Sequence, residues 1–380
     1  MIGGMTDPSI WREYGTPLLP PLSPGPLDGR TVAVKDLFAV AGFAIGAGNP
    51  AWLSQAETEP DCAPAVAALR AAGAAIAGIA QTDELAFSLS GANPHYGTPP
   101  NPAAPDRVTG GSSSGPASAV ATGQADIGLG TDTAGSVRVP ASACGLFGFR
   151  PTQGAVPADR VLPLAPSFDT PGWITAGPEL LARAGAVLLP PGPSAFPRTI
   201  ITIDLPNGSP FPSRSIASSV SSATVLSDSE LDDLLAAFRA VQSAEAWASH
   251  GVWITANPGV LGPDVEARFR FGSTVTAAER ARAWKVIAGY RSRVLDLLGD
   301  DTWLALPAVG GPGHPRDVTP AEKDAWRAAT FRRTVIASAF GLPSVSVPTG
   351  ASPPEGIALI GPPGADHALL RATASAGPAS

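Results

Sequence analysis

Three short stretches of this chain carry side chains able to move protons and attack a carbonyl. Val32-Ala33-Val34-Lys35-Asp36 ends an apolar, strand-like run on a lysine. Gly110-Gly111-Ser112-Ser113-Ser114-Gly115 sets Ser112 in a glycine-rich turn, and Thr131-Asp132-Thr133-Ala134-Gly135-Ser136-Val137-Arg138 sets Ser136 in another. A hydroxyl needs a base before it can attack a carbonyl, and a buried lysine with depressed pKa can serve. Glycines beside a serine free backbone N–H groups to face a developing oxyanion. Lysine, two serines and a donor-rich turn describe acyl transfer.

Each stretch also has a plainer reading. Lys35 could surface at a strand end and pair with Asp36. Serines in Gly-Gly-Ser turns commonly satisfy local backbone groups. Arg138 could read a substrate carboxylate or hold a structural salt bridge. Asp132 is expected to fix its loop by accepting backbone N–H bonds, which favours the ionised form. Gly111-Ser112-Ser113-Ser114-Gly115 also fits the G-x-S-x-G nucleophile elbow, which needs a strand before it and an acid and a histidine after it. Pro105 to Thr109 is a poor strand, and His250, His314 and His367 have no catalytic setting.

With 380 residues, 44% apolar and 15% charged, the chain suits a well-buried globular protein. Glycine and proline, 42 each and without a repeat, imply many tight connections. A net charge of −7 offers no broad cationic patch for nucleic acid. Two cysteines and four scattered histidines offer neither a disulfide framework nor a metal site, and Cys144 reads as a small buried hydrophobe. Neither a phosphate loop nor a dinucleotide turn occurs, so no cofactor is expected. No apolar run is long enough to span a membrane and no secretory leader is visible, so a cytoplasmic location is expected.

The elements that must hold these residues alternate. A helix is expected over 63–72, closed by Gly73, then a strand over 75–79. A helix over 116–122 follows the Ser112 turn and a glycine-interrupted strand over 126–130 delivers Ser136, with a helical turn over 137–141 behind it. Strands are expected over 199–203, 303–307, 344–348 and 356–361, and helices over 229–250, 276–298 and 365–373. The polar stretch 207–222 reads as an exposed insertion. This pattern predicts an α/β protein with one mixed sheet covered by helices on both faces, and a single domain over 1–380. Trp52, Phe87 and Phe168 could line a pocket or fill the core.

The Gly130 to Pro140 segment strongly resembles the amidase signature family. The likeness is strongest over residues 28–175, weaker over 300–372 and lost in the variable middle, 176–299. His95 to Pro99, Phe147 to Pro151 and Ser167 to Thr170 resemble the plant-type indole-3-acetamide hydrolases within it. The resemblance implies the amidase-signature fold, Ser136 as nucleophile, Ser112 as a relay bearing a cis peptide bond, and Lys35 as base. It also implies an oxyanion hole from the N–H groups of Thr133, Ala134, Gly135 and Ser136. The implied reaction is cofactor-free hydrolysis of a small carboxamide, an arylacetamide such as indole-3-acetamide first. A ureido amide like allophanate, or an inactive binding module, are the alternatives. Family members usually carry glycine at the position of Ala134, where alanine would be strained if φ were positive.

Overall fold

The computed structural model describes residues 7–205 and 216–376. Eleven strands form one sheet in the order β1-β3-β2-β4-β6-β5-β10-β11-β9-β7-β8. They are β1 (Trp11–Leu19), β2 (Thr31–Lys35), β3 (Ala75–Ala80), β4 (Ile127–Thr131), β5 (Phe147–Arg150), β6 (Pro171–Thr175), β7 (Thr199–Thr202), β8 (Ser219–Ser222), β9 (Thr302–Pro307), β10 (Ser344–Pro348) and β11 (Gly356–Ile360). The sheet is mixed: β2 runs parallel to β3 and β4, while β4, β6, β5 and β10 pair antiparallel in turn.

Alternation along the strands divides the core in two. Trp303, Ala305, Val345 and Leu359 enter one apolar cluster, while Leu304, Leu306, Ala358 and Ile360 enter the other. Helices α2 (Pro64–Ala71) and α5 (Pro178–Leu188) pack on the first face. Helices α6 (Asp228–Ala256), α8 (Ala277–Leu298) and α9 (Pro320–Phe340) pack on the second. The expectation of one mixed sheet covered on both faces is met, because both faces of its central strands carry mostly apolar side chains. No helix among the described residues is long and apolar enough to cross a membrane.

Several expectations need amending. Residues 207–215 of the expected insertion lie outside the described residues, and its end forms β8, an exposed edge strand parallel to β7. Helix α6 continues to Ala256, past the expected stop at His250. Four α-helices among the described residues were not anticipated: α1 (Pro50–Leu53), α5, α7 (Pro263–Thr274) and α9. The last had a readable start, for Thr319 and Glu322 form a capping box with Pro320 at the first position.

Two neighbouring parallel strands, β2 and β4, end where the chemistry lies. Helix α3 (Ser114–Ala121) follows the Ser112 turn and packs across both. Glycine makes that approach possible: a Cβ on Gly130 of β4 would stand 2.5 Å from the Ser113 hydroxyl. The last residue of β2 is Lys35, and β4 hands over after Thr131 to the loop bearing Ser136, followed by α4 (Arg138–Ala143).

Candidate active site

Lys35 is fully buried, with no carboxylate in ion-pair contact among the described residues. Its amine donates to the hydroxyl oxygens of Thr131 at 2.8 Å and Ser112 at 2.9 Å. Burial lowers its pKa to about 7, against the more distant pull of Asp83, Asp132 and Asp169. Asp36, next in sequence, turns away, facing Arg12 Nε at 2.9 Å and accepting the Gly46 N–H at 2.8 Å. The plainer reading of Lys35, a surfaced side chain paired with Asp36, is therefore excluded.

The Gly111–Ser112 peptide is cis. The Ser112 carbonyl accepts the Asp83 N–H at 3.1 Å and the Thr82 hydroxyl at 3.0 Å, which anchors the turn on the chain after β3. Ser113 N–H donates to the Ser136 carbonyl at 3.1 Å, tying the two serine turns together. The hydroxyl of Ser136, 2% exposed, makes no hydrogen bond with a described residue, so the Ser112–Ser136 leg of the expected relay has no direct bond here.

Asp132 organises the loop. Its carboxylate accepts N–H bonds from Gly135 at 2.9 Å, Val137 at 3.2 Å and Arg138 at 3.3 Å. It also takes the Arg138 guanidinium at 2.9 and 3.0 Å and Arg150 Nη1 at 3.1 Å. The two guanidiniums and these N–H donors outweigh burial and hold its carboxyl well below the ordinary range. Two site assignments from sequence fall here. Gly135 cannot lend its N–H to an oxyanion, since Asp132 already holds it. Arg138 is buried and its donors go to Asp132, the Thr334 carbonyl at 3.2 Å and Ser338 Oγ at 2.8 Å, so it faces no substrate.

The N–H groups of Thr133, Ala134 and Ser136 donate to no described residue. They are the donors left for an oxyanion. Ala134 does not have a positive φ, so alanine fits without strain, and its methyl joins the apolar cluster around Phe331. The glycine requirement lies one residue later: Gly135 has φ 123°, and a Cβ there would meet Thr334 Cγ2 at 2.8 Å. Helix α9 clamps the same turn, with Thr334 Oγ1 donating to the Ala134 carbonyl at 2.6 Å.

Ser136 opens on a narrow cleft of about 10 Å³, walled by Phe87, Leu89, Leu164, Phe331, Gln242 and Arg327 among others. Thr133 and Leu164 also line a second, roomier cavity of about 260 Å³ that includes Leu37, Val161, Thr131 and Asp169. Asp169 is locked there by the Thr133 hydroxyl at 2.6 Å and the N–H groups of Leu164 and Ala165 at 2.8 and 2.9 Å. Of the three aromatic candidates only Phe87 reaches the Ser136 cleft. Phe168 stacks in the core on Phe238 and Trp284, and Trp52 packs on His250 and Trp253. Sequence reasoning gave no role to Thr131 as a lysine partner, nor to Gln242, Arg327 and Phe331. The last three come from helices far along the chain and belong to no local motif. His250, His314 and His367 each bond a proline carbonyl, so no histidine downstream serves an elbow serine.

Comparison with known proteins gives the family. Residues 21–185 match the family model for Amidase. The chain is 36% identical to Amidase 1 of Oryza sativa subsp. japonica, over 97% of this chain and 94% of that protein. It is 34% identical to the translocon at the outer membrane of chloroplasts 64 of Pisum sativum, over 92% of this chain and 66% of that protein. A shorter match, 43% identical over 40% of this chain and 32% of the relative, is to the indoleacetamide hydrolase of Pseudomonas savastanoi. Among solved structures, allophanate hydrolase of Kluyveromyces lactis superposes with a TM-score of 0.82 at 26% identity, covering 92% of this chain and 62% of that one. The chain belongs to the amidase family and is an amide-hydrolysing enzyme.

Proposed function

We propose that this enzyme hydrolyses a small carboxamide to the acid and ammonia, with Ser136 as nucleophile, Ser112 as relay and Lys35 as base. The observation that carries the reading is the Lys35 amine: buried, close to Ser112 and free of any ion pair that would hold it charged. In the neutral form its lone pair takes the Ser112 proton while Ser112 takes that of Ser136. The Ser136 oxygen then bonds to the amide carbon, and the N–H groups of Thr133, Ala134 and Ser136 hold the oxyanion. The proton returns through Ser112 to the departing nitrogen, which leaves as ammonia. Water enters by the same relay, breaks the acyl–Ser136 ester and restores the enzyme.

An arylacetamide such as indole-3-acetamide is the first substrate class. The relative named indoleacetamide hydrolase supports it, as does the apolar 260 Å³ cavity that shares Thr133 and Leu164 with the cleft. A smaller ureido amide such as allophanate is the second reading, favoured by the narrowness of the cleft at Ser136 itself. We place the enzyme in the cytoplasm as a single catalytic domain over 1–380. Ammonia release across aliphatic, arylacetic and ureido amides decides the class. Fluorophosphonate labelling of Ser136 separates an enzyme from an inactive module: labelling lost in Ser136→Ala supports catalysis, and no labelling of the native protein overturns it.

A further inference from the structure

Buried polar groups nearly always find partners, yet Arg327 Nε on the wall of the Ser136 cleft has none, and the Gln242 amide on the same wall bonds to no described residue. The Gln242 side chain, on α6, is only 4% exposed and makes no hydrogen bond with a described residue. Arg327, on α9, has neither a hydrogen bond nor a carboxylate partner, and its Nε is enclosed without an acceptor. Its guanidinium lies 5.2 Å from the centre of the Phe331 ring, with Arg239 at 5.4 Å from the same ring. Asp324 and Asp264 attract it only from a distance: neither is in ion-pair contact with it, and Asp264 is paired with Lys323 at 2.8 Å. A planar fork of donors beside a carboxamide donor, both open to the cleft, matches a carboxylate. A half-buried guanidinium with no carboxylate in contact is better answered by an anion than by a neutral group.

We infer that Arg327 and Gln242 are specificity-determining residues that bind a carboxylate carried by the amide substrate. The inference rests on the assignment of Ser136 as nucleophile, and between the two substrate readings it favours an amide that carries a carboxylate, as allophanate does, over a neutral arylacetamide. The carboxylate can belong to the acyl part, with ammonia leaving, or to the amine part of a secondary amide, in which case an amino acid leaves in place of ammonia; Arg327 would bind it in both.

The test compares matched amides in each arm. Phenylacetamide against 4-carboxyphenylacetamide probes the acyl side, and N-phenylacetylpropylamine against N-phenylacetylglycine probes the amine side. The native enzyme should prefer the carboxylate in one arm by about ten- to hundred-fold in kcat/KM, chiefly through KM. In Arg327→Leu that ratio should fall to near one, with Arg327→Lys recovering part of it and Gln242→Leu losing a smaller share. A native ratio at or below one in both arms, or a ratio unmoved in Arg327→Leu, overturns the inference. Calorimetric binding of the same compounds to Ser136→Ala keeps this result separate from the chemistry. Binding of a carboxylate amide that disappears when Arg327→Leu is added supports the inference even if no amide is turned over. Equal binding with and without Arg327 overturns it while leaving an active Ser136 untouched.

Discussion

The proton path and the substrate wall are built on opposite principles. Around Lys35, Asp132 and the serine turns, the charged groups are matched to partners: Asp132 to two arginines and three N–H groups, Lys35 to two hydroxyls. Across the cleft, Gln242 is buried and Arg327 half-buried, and neither is hydrogen-bonded to a described residue. A densely bonded network fixes geometry, because any displacement breaks several bonds at once. An unsaturated wall holds donors in reserve for something that is not protein. The contrast teaches where the two demands on this enzyme are met: rigidity at the strand ends and, under the proposal above, selectivity on helices α6 and α9.

The largest expected effect breaks the proton path. Ser136→Ala and Lys35→Ala should each lower kcat by roughly 10⁴-fold or more, and the double variant should be little worse than either. Ammonia release in the three proteins measures this, and additive losses would separate the two residues into independent roles. Next, Asp132→Asn should destabilise the fold by about 3–5 kcal/mol, since Arg138 and Arg150 would remain buried without a carboxylate. Urea unfolding checks it; a loss below about 1 kcal/mol would show the network to be looser than its geometry.

The pH profile is a gentler probe. In the proposed relay Lys35 acts as base only when deprotonated, and its pKa is lowered to about 7. Activity should therefore rise about tenfold per pH unit below 7 and level off above it. That rise should survive replacement of the histidines, whose ordinary pKa lies close by. The smallest effect is that of His314→Asn and His367→Gln, each expected to leave kcat/KM within about threefold, because their rings only bond neighbouring carbonyls. A large loss in either would move part of the proton path away from the lysine.

Legibility followed the same divide. Lys35, Ser112 and Ser136 sit in contiguous stretches whose glycines and hydroxyls betray a turn before any fold is known. Strands such as Ser344–Pro348 announced themselves through β-branched, apolar runs. Arg138 and Gly135 were misplaced because a motif specifies which groups are near, not which acceptor each donor meets. Asp132 met both first. Gln242, Arg327 and Phe331 were unreadable for a different reason. They are about a hundred residues or more from Ser136, and ordinary helical positions carry no mark of the cavity they face. Helix α9 itself was missed although Thr319 and Glu322 signalled its start, since its interior mixes charged and apolar residues without a clean stripe.

Helix α9 touches the site twice. Arg327 and Phe331 face the cleft, while Thr334 and Ser338, farther along the same helix, grip the nucleophile loop through the Ala134 carbonyl and Arg138. Anyone transplanting selectivity between enzymes of this kind by exchanging segments meets a seam there. A graft that imports a foreign α9 whole also replaces the bolts of the catalytic loop, and changed turnover would then be mistaken for changed taste. The clean splice lies between Phe331 and Thr334, leaving the bolts native while the face toward the substrate is redrawn.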